Sequence, residues 1–374
     1  MPQKPRVRRR SPWWARLSIA MGALLLLFSG GAWMGTTALV ARYEGAVGQA
    51  DLFGDAAGPP TPTSDITGPL NILLVGIDPR DSVPDWVPRA DSVLLLHVPK
   101  SMDRGYLTSL PRDLLLDIPS FQKAGYGGGV DRLAHAMYFG ATPVGGGRPN
   151  VAAGFELLAS AVSDYTGIRR FDAGAIITFT GFKRIVDAMG GVTMYLDQNV
   201  TSIHMQPDGR HRRPSYTGGE GPYGYVGPQK RYVKGTRQLK GWEALDYVRQ
   251  RYIPGGDYAR QRHQQQFIRA MANQALSRAV LTDPVKLDRV LRAAGQALVF
   301  SGRGHTVVDY ALALRQIRSE SITMVRLPGG SVMADGQYQG EELTSLANQF
   351  FSAVRGNRVE EFVVGHPELI NTVR

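Results

Sequence analysis

Three apolar runs, each beside an acid–arginine cluster, constrain the fold of this chain more than any other feature. Residues 70–77, 93–98 and 107–110 have the length and composition of buried strands. The clusters at their ends are Asp78 with Arg80, Arg89 with Asp91, and Arg112 with Asp113. Carboxylates can hold a hard cation such as Mg²⁺, and guanidinium groups bind phosphate bidentately. Any single pair reads equally well as a structural ion pair, but three together predict a site for a metal-bound diphosphate.

The chain from residue 70 to 374 alternates between strand-like and helix-like segments, which predicts one α/β domain. Further strands are expected at 114–118, 173–179, 192–196 and 322–327. Helices are expected at 132–139, 151–166, 181–189, 242–251, 257–281, 284–299 and 307–317. Thr180 is the predicted N-cap of the helix at 181–189, because threonine side chains accept hydrogen bonds from the first helical turn. Such an alternation predicts a mixed central sheet with helices covering both faces, an α-β-α arrangement.

The N-terminal segment has the pattern of a membrane anchor. Residues 1–16 carry six basic side chains and no acid, and residues 17–40 are uncharged and mostly apolar. About 20 apolar residues cross a bilayer as one helix, and the basic flank stays in the cytoplasm. We therefore expect a cytoplasmic tail at 1–16, one transmembrane signal anchor at 17–40 and an extracellular domain from 70. A cleaved signal peptide is the second interpretation, and residues 41–69 are predicted to be a Pro/Gly-rich linker.

Charge and cysteine content narrow the functional classes. The formal net charge is +11, which favours an acidic partner: phosphate, nucleic acid or an anionic surface. Nucleic acid fits poorly because the basic tail leads straight into the apolar span, so a transcription factor is the least favoured class. The chain has no cysteine, which excludes disulfides, thiol nucleophiles and thiolate metal sites. The basic segment 201–238 is either a hairpin or loop over the site or a solvated insertion without a role.

A second basic group lies far along the chain. Arg249 is expected to end one helix and Arg260 to open the next, and Arg251 lies between them. Asp257 is the expected N-cap of that second helix, whose N-terminus would itself attract phosphate. A solvated, positively charged helix face is the alternative interpretation. The chain contains no Walker loop, dinucleotide fingerprint, Gly-x-Ser-x-Gly motif or zinc-type histidine spacing, which argues against an NTPase, dehydrogenase, serine hydrolase or zinc enzyme.

The order and spacing of these blocks resemble the LytR–CpsA–Psr family. The similar segments are residues 71–80, 89–92, 109–113, 179–192 and 247–266, so the resemblance covers roughly residues 70–282. Members of that family move an anionic glycopolymer from a polyprenyl diphosphate carrier to the 6-hydroxyl of N-acetylmuramic acid in peptidoglycan. The resemblance therefore implies a Mg²⁺-dependent phosphotransferase of cell-wall assembly, with Mn²⁺ as a second possible cofactor.

The resemblance also implies roles for individual residues. Asp78 and Asp91 would hold the metal. Asp113 and Asp257 would support arginines or accept a proton, and Gln264 would line the site. The catalytic residues would be Asp78, Asp91, Arg112, Asp113 and Arg260. The diphosphate would be surrounded by Arg80, Arg89, Arg112, Arg132, Arg249, Arg251 and Arg260. The usual Lys-Ile-Asn block reads Arg132-Leu133-Ala134 here, and the usual arginine before the glutamines is His263, so Arg132 and His263 depart from the pattern.

A polyprenyl chain requires an apolar groove, since each buried CH₂ is worth roughly 0.8 kcal/mol. Twelve residues are candidates for its walls, although ordinary core is the alternative for each: Phe155, Leu157, Leu158, Val162, Ile176, Phe179, Phe182, Ile185, Val186, Phe267, Ile268 and Met271. Two other functions stay open. One is hydrolysis of the same diphosphate with water as acceptor, and the other is a non-catalytic envelope regulator that only binds polyprenyl phosphates.

Overall fold

The structure is a computed structural model that describes residues 48–54, 65–79, 83, 85–215, 224–275 and 277–371. Its first strands are β1 (Gly48–Gln49), β2 (Leu70–Ile77), β3 (Ala90–Val98), β4 (Gly105–Leu110), β5 (Leu115–Ile118) and β6 (Gly129–Arg132). Then come helices α1 (Leu133–Ala141) and α2 (Val151–Thr166), strand β7 (Ala173–Thr178), helix α3 (Phe179–Ala188) and strand β8 (Val192–Leu196). Five strands follow: β9 (Val200–Thr201), β10 (Arg213–Pro214), β11 (Tyr225–Val226), β12 (Arg231–Tyr232) and β13 (Gly235–Leu239).

The second half is mostly helical. It contains α4 (Gly241–Arg249), α5 (Gly256–Ala275), α6 (Arg278–Leu281) and α7 (Pro284–Ala297), then β14 (Leu298–Ser301) and α8 (Val307–Ala313). The last elements are β15 (Ile322–Val325), β16 (Gly329–Ala334), β17 (Gln337–Leu343), α9 (Ser345–Arg355) and α10 (Val359–Gly365).

A seven-stranded sheet in the order β1-β14-β7-β2-β3-β4-β15 forms the centre of the domain. Strand β2 pairs parallel with β7 and antiparallel with β3, while β4 pairs antiparallel with β3 and parallel with β15. The predicted mixed sheet is therefore confirmed. Its parallel pairs require helical crossovers, which place helices over the sheet faces.

Side chains of β2 alternate between the two faces of the sheet, as the pleat of a strand requires. Leu73, Val75 and Ile77 face a core that includes residues of α1, α2, α9 and α10, among them the fully buried Phe155. A second core, which includes Phe267, is built from α3, α4, α5 and α7. The prediction of helices on both sides of the sheet is thus confirmed.

Several predicted helix boundaries were wrong. The helix predicted at 257–281 corresponds to two helices, α5 and α6, and the helix predicted at 307–317 ends at Ala313. Two further differences concern α3 and α7. Thr178, and not Thr180, is the N-cap of α3, and its Oγ1 accepts a hydrogen bond from the Gly181 backbone N–H at 3.0 Å. The helix predicted at 284–299 ends at Ala297, because residues 298–301 pair antiparallel with β7 as strand β14. Pairing with β7 gives the backbone N–H and C=O groups of residues 298–301 hydrogen-bond partners, whereas the last carbonyl groups of a longer helix would have had none within the helix.

Residues 48–54, which fall within the predicted linker, contribute to the sheet and to the core. Strand β1 pairs parallel with β14 at the edge of the sheet. Leu52 and Phe53 are 0% and 4% exposed, and the Phe53 ring meets Phe155 edge-on at 5.5 Å between centroids. This stretch therefore belongs physically to the folded domain.

The predicted tail and membrane anchor lie outside the described residues. Within the described part of the chain, no helix combines the length and apolar character needed to span a bilayer. In the basic segment 201–238, β9 pairs with β12 and β10 pairs with β11. Arg212 is buried there and donates to the carbonyl oxygens of Ile203 and Tyr225, so part of this segment has its own polar core.

Candidate active site

Strand register brings the three acid–arginine clusters to one end of the sheet. Ile77 at the end of β2 pairs with Ala90 at the start of β3, and Val93 of β3 pairs with Leu110 at the end of β4. The residues that flank these strand ends are Asp78, Asp91 and Arg112, which all line one cavity. The same register places Thr178 beside Ile77, so α3 begins at this end too.

Ion pairs tie the clusters to one another. Arg112 Nη1 lies 2.5 Å from Asp91 Oδ1, and Arg112 Nε lies 3.5 Å from Asp113 Oδ1. Asp113 also lies 3.9 Å from Arg132 Nη1. Asp113 thus stands between two guanidinium groups, where it orients Arg112 without lining the cavity itself.

Arg249, from the second basic group, contacts Asp78, from the first of the three acid–arginine clusters. Arg249 ends α4, as predicted, and its Nη2 donates to Asp78 Oδ2 at 3.1 Å. The Arg249 guanidinium also lies 4.7 Å from the centre of the Phe179 ring, a cation–π arrangement that fixes its plane. Residues 171 positions apart in sequence therefore form one charged contact.

Helix α5 carries a buried guanidinium into the site. Arg260 is 6% exposed, and its Nη2 lies 2.6 Å from Asp257 Oδ1. Burial lowers the pKa of Arg260, while the charge of Asp257 acts in the opposite direction. Asp257 was predicted to be the N-cap, but it lies inside α5 and binds Arg260 and Gln261 instead. Its role is to hold a side chain that would otherwise be a buried, uncompensated charge.

These residues enclose a polar cavity of about 280 Å³. Five arginines and two aspartates contribute to its walls, which leaves an excess of positive charge. The full set is Asp78, Trp86, Arg89, Asp91, Arg112, Phe179, His204, Arg249, Arg251, Tyr252, Arg260 and Gln264. Such a cavity suits a polyanion such as a diphosphate, since several guanidinium groups can share its oxygens.

Most of the predicted site residues meet at this cavity. Asp78, Asp91, Arg89, Arg112, Arg249, Arg251, Arg260 and Gln264 all line it. Asp113 and Asp257 contact lining arginines from behind, and Arg132 reaches the site through Asp113. Arg80 lies outside the described residues.

Three lining residues were not predicted: His204, Trp86 and Tyr252. His204 belongs to the basic segment 201–238, whose composition gives no indication of which side chain faces the site. Burial and the positive charges of Arg249 and His211 lower the pKa of His204 to about 4. The imidazole is therefore neutral near pH 7. Tyr252 stacks against the neighbouring Arg251, whose guanidinium lies 5.4 Å from the ring centre.

A separate apolar cavity of about 200 Å³ adjoins the polar one. Phe179 and Gln264 line both cavities, and Ser92 Oγ donates to Gln264 Oε1 at 3.1 Å in the shared wall. Of the predicted groove residues, Phe179, Phe182, Phe267, Ile268 and Met271 line the apolar cavity.

The other predicted groove residues are ordinary core. Phe155, Leu157, Leu158, Val162 and Ile176 belong to the core on the opposite face of the sheet, and Ile185 and Val186 to the second core. The presence of an apolar side chain does not show whether a residue lines the cavity or the core. That depends on the face of the strand or helix to which the side chain points. Ala175 and Ile176 are neighbours in β7, and only Ala175 lines the cavity.

His263, which departs from the family pattern, lies in a buried network beside the site. It is 0% exposed, its Nε2 lies 2.9 Å from Asp197 Oδ1, and its ring stacks on Tyr247 at 4.4 Å. Burial acts to raise the pKa of Asp197, yet hydrogen bonds from His263 and Arg262 hold it well below its ordinary value. His263 therefore anchors α5 to the end of β8 and does not line the cavity.

Asp78 and Asp91 are the carboxylates that could hold a metal ion. Among the described residues, no cluster of three or more His, Asp or Glu side chains has the spacing of a protein-only metal site. Two carboxylates in one cavity nevertheless fit Mg²⁺, which usually takes one or two protein carboxylates and completes its shell with phosphate oxygens and water.

Fold and site together define a class of protein: an α/β domain in which an arginine-lined polar cavity adjoins an apolar cavity. The model of the LytR_cpsA_psr family matches residues 50–353, and the chain belongs to this family. The matched residues therefore include β2 to β17 and every lining residue of both cavities.

Two curated relatives and one solved structure illustrate the similarity. The cell wall biosynthesis protein LcpA of Corynebacterium glutamicum is 29% identical over 315 residues, which cover 77% of this chain and 56% of LcpA. The chain thus spans little more than half the length of that relative. The polyisoprenyl-teichoic acid–peptidoglycan teichoic acid transferase TagU of Oceanobacillus iheyensis is 27% identical over 79% of this chain and 76% of TagU. A structure of TagT bound to LI-WTA is 21% identical with a TM-score of 0.53, and it covers 81% of this chain and 97% of TagT, which establishes a shared fold.

Proposed function

We propose that this protein is a phosphotransferase that moves a glycopolymer from a polyprenyl diphosphate carrier to peptidoglycan. The observation that carries the proposal is the shared wall of the two cavities, formed by Phe179 and Gln264. A lipid-linked diphosphate has a polyanionic head joined to an apolar tail, and it would place the head among the arginines and the start of the tail in the apolar cavity. The name of the TagU relative, a polyisoprenyl-teichoic acid–peptidoglycan teichoic acid transferase, supports the same reaction class.

The arginines of the polar cavity would bind different oxygens of the diphosphate. Arg112, Arg249 and Arg260 are each held by a carboxylate, so their guanidinium planes are set before the diphosphate arrives. Preorganised charges stabilise a phosphoryl-transfer transition state without reorganisation, and single arginines of this kind matter by factors of about 10³ or more. Arg89 and Arg251 would complete the contact with the remaining oxygens.

We further propose that Asp78 and Asp91 hold Mg²⁺ together with the substrate's oxygens, with Mn²⁺ as the alternative. The bound ion would neutralise part of the charge on the diphosphate. In the reaction, the 6-hydroxyl oxygen of N-acetylmuramic acid attacks the sugar-side phosphorus. The bond from that phosphorus to the bridging oxygen breaks, polyprenyl phosphate leaves, and an aspartate of the site accepts the hydroxyl proton.

The N-terminal pattern supports a proposal about where the reaction takes place. We propose that residues 17–40 anchor the protein in the cell membrane with residues 1–16 in the cytoplasm and the domain outside. This arrangement would put the domain on the side of the membrane where peptidoglycan lies. It rests on hydropathy and on the charge asymmetry of the flanks.

The test is transfer by the full-length chain and its Asp78→Ala and Asp91→Ala variants. The substrates are a polyprenyl-diphosphate-linked glycan and a peptidoglycan acceptor. Both variants should lose coupled product, and chelation of divalent ions should have the same effect in the parent protein. Asp208→Ala is the matched control, because this carboxylate is 52% exposed and does not line the cavity. Full coupling in both cavity variants would refute the proposal, and release of free phosphoglycan without coupled product would favour the hydrolase.

A further inference from the structure

A surface of half-exposed aromatic rings lies beside the polar cavity. We call it the aromatic strip and define it by Tyr126, Arg132, His135, Tyr138, Phe139 and Tyr338. Four of these residues lie on or at the start of α1, and Tyr338 lies on the β16–β17 hairpin. The strip uses one exposed side of α1, because residues 135, 138 and 139 recur at helical spacing.

The strip connects to the cavity at two points. The Arg89 guanidinium, which lines the cavity, lies 5.0 Å from the centre of the Tyr138 ring. At the other end, the Arg132 guanidinium lies 5.3 Å from the Tyr338 ring and 3.9 Å from Asp113, which holds the cavity residue Arg112. A molecule bound along the strip would therefore have one end at the cavity rim.

The rings of the strip are held in fixed orientations. Tyr126 stacks on Phe139 with centroids 4.4 Å apart and planes 9° from parallel. The Tyr338 hydroxyl donates to Glu341 Oε1 at 3.1 Å, and Glu341 itself is buried. Arg132 Nε donates to the Gln339 carbonyl oxygen at 2.8 Å, which fastens α1 to the hairpin. Tyr338 is 40% exposed, so part of its ring stays open to a ligand beside the Arg132 guanidinium, while its hydroxyl is already bonded.

We propose that the aromatic strip binds the saccharide chain of the acceptor, an inference that rests on the proposed function. A pyranose ring presents one face of C–H bonds, which packs against an aromatic ring, and a rim of hydroxyls, which bond to charged and polar groups. The strip offers both. The Tyr338 ring is exposed and the Tyr138 ring half-exposed, and the side chains of Arg132 and His135 are about one third exposed. The apolar cavity accounts for the lipid of the donor, so the acceptor must approach over surface that reaches the cavity rim.

Two variants of the full-length chain test the strip: Tyr138→Ala and Tyr338→Ala. The probe is a peptide-free oligomer of alternating N-acetylglucosamine and N-acetylmuramic acid, with binding measured by calorimetry. Each variant should bind it about five- to tenfold more weakly, the effect of losing one aromatic stacking contact. Tyr195→Ala is the matched control, since this half-buried tyrosine on β8 lines neither cavity nor strip. Tyr338→Phe keeps the ring and should retain most of the affinity.

Steady-state transfer separates this inference from the proposed function. The acceptor KM should rise in both alanine variants. Donor KM should stay unchanged in Tyr338→Ala, whereas in Tyr138→Ala, which removes the ring beside Arg89, it should rise by a smaller factor than acceptor KM. Unchanged acceptor KM in both variants, or binding of isolated stem peptide in place of glycan, would overturn the inference. Glycan binding that depends on the strip in a chain that transfers nothing would support the saccharide site and refute the phosphotransferase.

Discussion

Arg112 shows how much of the site depends on the geometry of single side chains. Its guanidinium contacts Asp91 at 2.5 Å and Asp113 at 3.5 Å from two different nitrogen atoms. A planar fork can hold both carboxylates and still face the cavity, whereas the ammonium of lysine is a point charge on a flexible stem.

We therefore expect Arg112→Lys to lower kcat for transfer by about 10²–10³, the loss typical of one preorganised transition-state donor. Binding of the donor should weaken less, because the positive charge is kept. The same substitution at Arg210, which is 84% exposed, is the control and should have no effect. Parent-like kcat in Arg112→Lys would mean that charge alone suffices at this position.

His97 makes a prediction about stability and pH. It is 1% exposed on β3, its Nδ1 lies 2.9 Å from Asn71 Oδ1, and burial lowers its pKa from 6.5 to about 4. Above the unfolded pKa the ring is neutral in both states. As the pH falls from 6.5 to 4, only the unfolded chain gains a proton, so the free energy of unfolding decreases, by up to ~3 kcal/mol.

Urea denaturation of the parent protein and His97→Gln across this pH range measures the effect. The variant loses native contacts at every pH, so it should be less stable above about pH 7. Its free energy of unfolding should depend less on pH, and the two curves should converge toward pH 4. Parallel curves would show that His97 does not titrate in this way.

At the same scale, sequence identifies charged site residues better than neutral ones. Asp78, Asp91 and Arg112 were predictable because they directly flank apolar runs whose antiparallel register fixes their neighbours. His204 was not, since its position depends on contacts with residues much further along the segment, such as the Tyr225 ring, which meets the His204 ring edge-on at 5.4 Å between centroids. No local pattern in the basic segment encodes that contact.

Among the elements, α3 matters most for the site because it begins at the shared wall of the cavities. Thr178 caps it, and Phe179, its first residue, lies in both cavities and under Arg249. Two threonines two positions apart offer a matched comparison.

Thr178→Ala should lower the free energy of unfolding by about 1 kcal/mol, the usual cost of removing an N-cap. Thr180→Ala should cost much less, since Thr180 lies within the first turn and caps nothing. Denaturant titration of both variants gives the comparison. An equal loss in the two would show that the hydroxyl of Thr178 does not determine where the helix begins.

Helices and strands were predictable to within a few residues where the spacing of apolar residues follows one periodicity along the whole element, as in α2 at Val151–Thr166. The junction of α7 and β14 was missed because residues 298 and 299 are apolar and suit either structure. What decides the matter is the antiparallel pairing of Leu298 with Ile177 and Val299 with Ile176, a contact with a distant segment. The intrinsic helix and strand propensities of these residues contain no information about such a contact.

For the whole molecule, the apolar cavity is either a lipid site or a packing void, and filling it distinguishes the two. Ala175 lines the cavity from β7, and Ala175→Phe would fill part of the space of about 200 Å³. We expect the donor KM of this variant to rise about tenfold or more, because the bulk displaces buried CH₂ groups of the lipid. Stability should hold or increase, because new apolar contacts replace empty space.

Ile176→Val is the matched control one residue along, on the opposite face of the sheet. It should cost about 1 kcal/mol of stability and leave donor KM unchanged. Thermal melts and steady-state transfer with a long-chain donor measure both quantities. If Ala175→Phe raised stability without affecting the donor, the cavity would be a void and the lipid would bind elsewhere.

The short strand β1 has a practical consequence for work on fragments of this chain. By pairing with β14 it covers one margin of the sheet, and Leu52 and Phe53 complete the packing next to it. A truncated protein that starts near residue 70, where the alternation of strands and helices begins, would lack β1. The amide and carbonyl groups of β14 would then be free to pair with a second copy. A shortened form for crystallisation or calorimetry should therefore begin upstream of Gly48, or self-association would obscure the behaviour of the intact protein.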